Sequence, residues 1–218
     1  MQQIYKISKW RLILTFMKFL LKSIFRKLVI FLLPTYRFSK DYKVLVLGDD
    51  GSEQSQKYHY YIGYYDIDPF NESTQKIVCH RVSKKYSSQV LPDIGDVGLL
   101  SVSTGEFEKL KDTRALNWQL GSRVQWLDSE HLIYNDIQEG YQVSRKINVV
   151  TNAVVKEYHR AFWAISPDKK LGASLNFSRI KMKRPGYGYG GYSKDGDTER
   201  LTLFNLATGI DEYTVELS

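Results

Sequence analysis

At 218 residues, 43% of them hydrophobic, the chain is long enough for one large domain or two small ones with a sizeable core. Its 14% aromatic content, with sixteen Tyr and four Trp, favours β-structure over a helix bundle. The net charge of +7 sits at one end: residues 1–40 carry nine basic side chains and no acidic one, while the remaining 178 residues hold 22 basic and 24 acidic groups. The body therefore has no basic footprint for nucleic acid, which is excluded as an expected partner. The single cysteine, Cys79, rules out an intrachain disulfide; Ile77, Val78 and Val82 around it predict a small buried residue in a strand.

Residues 10–33 are mostly Leu, Ile, Phe, Val and Met, broken by Arg11, Thr15, Lys18, Lys22 and Arg26 at steps of four, three, four and four. That spacing lays the polar groups along one stripe of a helix, with Phe16, Phe19 and Phe25 among the apolar residues covering the rest. The apolar runs are too short for a simple spanning helix, and the lysines interrupt the centre that a secretory signal requires. Residues 1–40 are therefore expected to form an amphipathic helix lying in an anionic membrane surface. Arg11, Lys18, Lys22 and Arg26 would meet lipid headgroups, and Phe16, Phe19 and Phe25 the acyl boundary. A tilted single-pass helix and a helix packed on the protein itself are the alternatives. Retention of basic residues on the cytoplasmic side favours the inner face of the inner membrane.

From Lys43 onward no helical period is visible, and short apolar runs alternate with turn residues. Val97–Gly105, Ile147–Asn152 and Leu201–Gly209 each run into a Thr-Gly or Thr-Asn turn followed by a second strand. Val124–Tyr134 and Phe162–Leu175 read as a second kind of hairpin, and Tyr60–Asp68 with Lys76–Val82 as a looser copy. The repeat matches four-stranded propeller blades, so residues 41–218 are expected to form about three blades of a β-propeller, in a mainly β chain. Three blades do not close a ring. The expectation is a longer propeller cut short, or a partner chain that completes it.

The blocks Asn117–Trp126, Leu132–Asp136, Ala164–Lys170 and Arg184–Gly190 resemble TolB-like propellers of the oligogalacturonate-lyase type. They are similar in particular to uncharacterised members from bacterial surface-polysaccharide gene clusters. The resemblance covers roughly residues 58–217 and implies a role with carbohydrate. The lyases hold a divalent metal through several His and a Gln late in the propeller, and no such set transfers residue by residue. No metal and no cofactor is expected.

Among local motifs, Gly186–Gly191 satisfies G-x-G-x-x-G without the strand and helix that dinucleotide binding needs, and reads as a flexible Tyr-bearing loop. Asp66–Asn71 has the opening spacing of a calcium loop but lacks its later Gly and Glu, and reads as a turn. His131 reads as a solvated turn residue. No nucleophile elbow or paired carboxylate stands out, which leaves catalysis open. The stronger signal is a set of polar and aromatic groups at matching places in the repeat: His59, Trp118, Gln119, Asn135, Asp136, Asn176, Arg179, Arg184 and Tyr187. Planar amides, Arg and aromatic faces suit sugar hydroxyls and uronic carboxylates. Blade packing for Trp118 and turn formation for Asn135 and Asp136 are the simpler alternatives. The expected function is accessory carbohydrate binding at the membrane in envelope polysaccharide synthesis, with a polysaccharide lyase or hydrolase, or a protein-interaction scaffold, as alternatives.

If the amino-terminal helix lies in the headgroup plane, Lys18→Glu, Lys22→Glu and Arg26→Glu together should cost several kcal/mol of binding to anionic vesicles, at about 1 kcal/mol per charge. Vesicle co-sedimentation should then find the variant in the supernatant; a wild-type chain that resists both high salt and alkaline carbonate would instead require a spanning helix.

Overall fold

The computed structural model describes residues 57–83, 93–189 and 200–217. The chain divides into Met1–Leu45 and Val46–Ser218, and every described residue belongs to the second unit. The amphipathic segment read at residues 10–33 lies outside the described residues. Among the described residues, no helix is long and apolar enough to cross a membrane.

The described residues are mainly β and form three antiparallel sheets in sequence. The first contains β1 (Tyr58–Tyr61), β2 (Phe70–Asn71), β3 (Lys76–Ser83), β4 (Gly95–Ser101) and β5 (Phe107–Thr113), with β1 and β2 both pairing with β3. The second is the meander β6 (Gln125–Trp126), β7 (His131–Gln138), β8 (Tyr141–Asn148) and β9 (Ala153–Tyr158). The third is β10 (Ala164–Ile165), β11 (Leu171–Ser174), β12 (Arg200–Asn205) and β13 (Asp211–Glu216), with a seven-residue helix, α1 (Phe177–Lys183), after β11. The hairpins expected from sequence form at β4–β5, β8–β9 and β12–β13. Their shared turn has a local cause: Ser101 Oγ accepts from the Thr104 amide, Asn148 Oδ1 from Thr151, and Asn205 Oδ1 from Thr208. Gly105, Asn152 and Gly209 then take the left-handed conformation. Cys79 is buried in β3, and burial pushes its thiol up to about 12.

The sheets are joined by apolar cores. Val78, Val97, Leu99 and Leu110 of the first pack with Trp126, Leu132, Tyr134 and Ile147 of the second. Ile133 and Tyr158 of the second pack with Phe162, Phe204 and Leu206 at the third. Each such side chain contributes on the order of 2 kcal/mol by leaving water. The faces alternate with the pleat: Leu132 and Tyr134 look one way, Ile133 the other.

Polar latches reinforce these cores at one repeated position. Aligned on their hairpin turns, the second strands of the first two sheets place His80 and Asn135 at the same point. His80 Nε2 accepts from the Ser122 amide at 2.9 Å and lies 2.8 Å from Ser122 Oγ, so its Nδ1 is the nitrogen that donates to the Tyr61 carbonyl, at 3.3 Å. Asn135 Oδ1 accepts from the Phe162 amide at 2.9 Å, and its Nδ2 donates to the Phe162 carbonyl at 2.8 Å and the Tyr189 hydroxyl at 2.9 Å. In both, a side chain captures the backbone entering the next sheet. Gly121 sits against the His80 ring at φ 57°, and a Cβ there would overlap the imidazole.

A charged bridge crosses the same region. Arg123, 1% exposed, donates through Nη1 and Nη2 to both oxygens of Asp66 at 2.9 and 2.8 Å, and through Nε to the Trp163 carbonyl at 2.8 Å. Its guanidinium lies 5.1 Å from the Trp163 ring centre. Asp66 lies in the loop from β1 to β2, Arg123 just before β6 and Trp163 just before β10, so one side chain ties together a loop of the first sheet and the segments that lead into the second and third.

The buried His80 stays neutral because desolvation, larger than the opposing hydrogen bond to the Tyr61 carbonyl, lowers its pKa from 6.5 to about 4. The unfolded chain takes up the proton near pH 6.5 and the folded chain only near pH 4. His80 therefore supports the fold fully above pH 6.5, and this contribution is lost as pH falls toward 4. The loss is about 3 kcal/mol. Urea denaturation between pH 7.5 and pH 4 should show this fall, and His80→Asn should flatten it; an unchanged slope in that variant would place the titration elsewhere.

Candidate functional site

The residues singled out in the sequence separate into four groups in the structure. His59 and Trp118 meet edge to face, with ring centres 6.2 Å apart, and Tyr61 lies 5.2 Å from Trp118 and stacks on His80 at 4.9 Å. Trp118 Nε1 and the Tyr61 hydroxyl are both buried, with no hydrogen-bond partner among the described residues. Burial raises the Tyr61 phenol well above its ordinary pKa. Gln119 is exposed, and its backbone N–H donates to Asn117 Oδ1 at 2.8 Å.

Asn135 and Asp136 do not form turns; they lie within β7. Asn135 is 0% exposed, with both ends of its amide committed to Phe162 and Tyr189, so it belongs to the framework rather than to an accessible surface. Asp136 Oδ1 accepts from the Arg114 and Ile137 amides at 2.7 and 2.8 Å, and Oδ2 pairs with Arg145. A carboxylate so satisfied holds β7 to the end of β5. His131 opens β7, with Nδ1 2.8 Å from Asp128 Oδ1.

Asn176 caps α1: its Oδ1 accepts from the Ser178 and Arg179 amides at 3.0 and 3.3 Å. No helix was expected here, and the sequence Phe-Ser-Arg-Ile-Lys-Met-Lys is too short for its period to register. Arg184 is the exposed C-cap, its amide bonded to the Ile180 carbonyl. Asn176, Arg179 and Arg184 line one open cavity of about 230 Å³ with Arg200, and Asn176 also reaches an adjoining one of about 240 Å³.

The segment after α1, expected to be flexible, is tied down through Tyr189. Asn117 Nδ2 donates to the carbonyls of Gly186 and Gly188 at 2.8 and 3.1 Å. Tyr189 is buried, stacked on Phe177 with ring centres 4.4 Å apart. Gly188, at φ 76°, passes so close to the Phe177 carbonyl that a side chain could not fit. The described helix α1 precedes the glycines, whereas a dinucleotide site requires a strand in that place.

This docking carries Tyr187 to Tyr64. Their ring centres lie 6.3 Å apart, and Tyr64 packs against Tyr65 at 4.3 Å. Tyr65 is 86% exposed. The neighbouring phenols of Tyr65 and Tyr187 push the Tyr64 phenol up to about 12. Three phenols from two distant segments thus share one surface. Tyr187 was singled out in the sequence; Tyr64 and Tyr65 were not, and the Tyr-Tyr doublet beside Gly63 was their only signal.

Asp66 and Asp68, read as a turn, behave as one: Asp66 is held by Arg123, and Asp68 Oδ1 accepts from the Phe70 amide at 3.0 Å. Among the described residues, no three His, Cys, Asp or Glu side chains come together as a metal site would require.

No family model matches the sequence, and no curated protein matches it. One solved structure, an uncharacterized protein, lmo1340 from Listeria monocytogenes EGD-e, is similar at 9% identity over 75% of this chain and 67% of that one, with a TM-score of 0.33. A likeness of that size carries no argument about fold or function.

Proposed function

We propose that this chain is a carbohydrate-binding module built as a partial β-propeller of the TolB-like, oligogalacturonate-lyase type, held at an anionic membrane surface by its basic amino terminus during envelope polysaccharide synthesis. Three successive antiparallel sheets, one of five strands and two of four, each handing the chain to the next, support the propeller reading. The cytoplasmic face of the inner membrane is the proposed location, on the charge of residues 1–40. A further chain that completes the ring belongs to the same proposal.

The observation that carries the binding reading is the tyrosine surface. An exposed ring such as Tyr65 keeps apolar area in water at a cost, and the face of a sugar ring can cover it while the neighbouring phenol hydroxyls meet sugar hydroxyls. Trp118 with His59, and the exposed Gln119 amide, offer the same chemistry on the neighbouring segment. Asn176, Arg179 and Arg184 add amide and cationic groups beside α1 that suit a uronic carboxylate.

Calorimetry against acidic and neutral oligosaccharides should detect binding by the full chain. Tyr65→Ala, at an exposed position that leaves the fold intact, should weaken it by about tenfold, the worth of roughly 1.4 kcal/mol of stacking. Binding that Tyr65→Ala leaves unchanged, or no binding of any saccharide by a folded chain, would overturn the reading.

A further inference from the structure

One cross-strand row recurs in all three sheets and makes the contact between neighbours. It consists of Phe70, Ile77 and Leu100 in the first sheet, Trp126, Leu132 and Ile147 in the second, and Ile165, Gly172 and Phe204 in the third. The row of the second sheet is buried against Val78, Val97 and Leu99 of the first. In the third, Ile165 and Phe204 pack with Ile133 and Tyr158 of the second. Each sheet thus inserts a row into the sheet before it and offers its opposite face to the sheet after it.

Both halves of this joint are left over, with no partner sheet among the described residues. The inserting row of the first sheet leaves Phe70 37% exposed and Ile77 half-buried, with Leu100 covered. On the receiving side, the place of Val78 and Ile133, both buried, is taken in the third sheet by Ala173, which shares a row with Leu203 and Tyr213. Ala173 and Leu203 are half-buried and Tyr213 is 62% exposed, and Leu201 and Val215 extend the same face. Unfilled, this face keeps aliphatic and aromatic area in water.

The latch position points to a separate molecule as the occupant. His80 and Asn135 hold the backbone by which the chain crosses into its own next sheet. At the third sheet the matching position is Leu175, whose side chain can neither donate to nor accept from such a crossing. A sheet arriving from another molecule brings no crossing to hold, and needs only the apolar contact.

We propose that a second copy of this chain fills both gaps. Phe70, Ile77 and Leu100 of each copy insert against Ala173, Leu201, Leu203 and Tyr213 of the other. The two joints are equivalent and run head to tail, so the pair closes on itself. Two copies of three sheets fall within the range of about four to eight blades that a closed propeller takes. The pairing rests on the propeller reading, in which it names the chain that completes the ring.

Analytical ultracentrifugation of the full chain in dodecyl maltoside should show a dimer. Tyr213→Glu and Phe70→Glu, each placing a charge in one half of the joint, should each raise the dimer dissociation constant at least about tenfold, with circular dichroism unchanged. Phe70→Ala takes the place of Phe70→Glu if the glutamate variant is unfolded. An equimolar mixture of the two variants should dimerise more tightly than either alone, because the mixed pair keeps one unaltered joint. A dimer that the Phe70 variant leaves intact, or a mixture no tighter than its components, would overturn the head-to-tail pairing. A folded chain that stays monomeric would overturn the second copy and leave the propeller reading intact, whereas a dimer elongated in small-angle scattering rather than ring-shaped would overturn both.

Discussion

The buried guanidinium of Arg123 sets the terms for the described structure. Taking that charge out of water costs several kcal/mol, and the fold recovers it only because Asp66, the Trp163 carbonyl and the Trp163 ring all arrive together. Arg123 itself stands at φ 57°, a backbone state that costs a non-glycine residue about 1–2 kcal/mol. None of its partners belongs to its own sheet. The bridge therefore forms only when the β1–β2 loop and the segments leading into the second and third sheets are in place, which couples the three sheets beyond what the apolar cores alone would do. Asp66 is partly solvated, so its share of the energy is smaller than that of the buried cation.

Around this bridge the fold repeats a simple device. His80 and Asn135 each satisfy a backbone group at the start of the next sheet, and the apolar faces close over the result. The same constraint positions the candidate surfaces. Asn135 holds Tyr189, Tyr189 stacks on Phe177 at the start of α1, and Asn117 holds the glycines between them, so Tyr187 has little choice but to lie near Tyr64. In the third sheet the matching position, just after β11, is Leu175, which lines both open cavities beside α1.

What was legible in the sequence was local. Thr104-Gly105, Thr151-Asn152 and Thr208-Gly209 announce their hairpins because the capping side chain, the turn and the positive φ lie within five residues of one another. The strand character of Cys79 follows from its apolar neighbours in the same way. The roles of Asn135 and Asp136 were not legible, since the partners that make them framework, Phe162 and Arg114, lie in other sheets or loops. Arg123 gave no warning, because an arginine between Ser122 and Val124 reads as a surface residue until Asp66 is beside it. Helix α1 escaped because seven residues hold barely two turns, and its cap, Asn176, looks like any strand-end asparagine. Tyr64 and Tyr65 escaped for the same reason as Arg123: their partner is far along the chain.

The coupling through Arg123 can be measured directly by hydrogen exchange in the full chain carrying Asp66→Ala, which leaves the buried guanidinium without its carboxylate. The account predicts that amide protection falls together in β3, β7 and β11, by about 3 kcal/mol, because all three sheets lose their common tie. Faster exchange confined to residues 62–69, with β7 and β11 as protected as before, would contradict it.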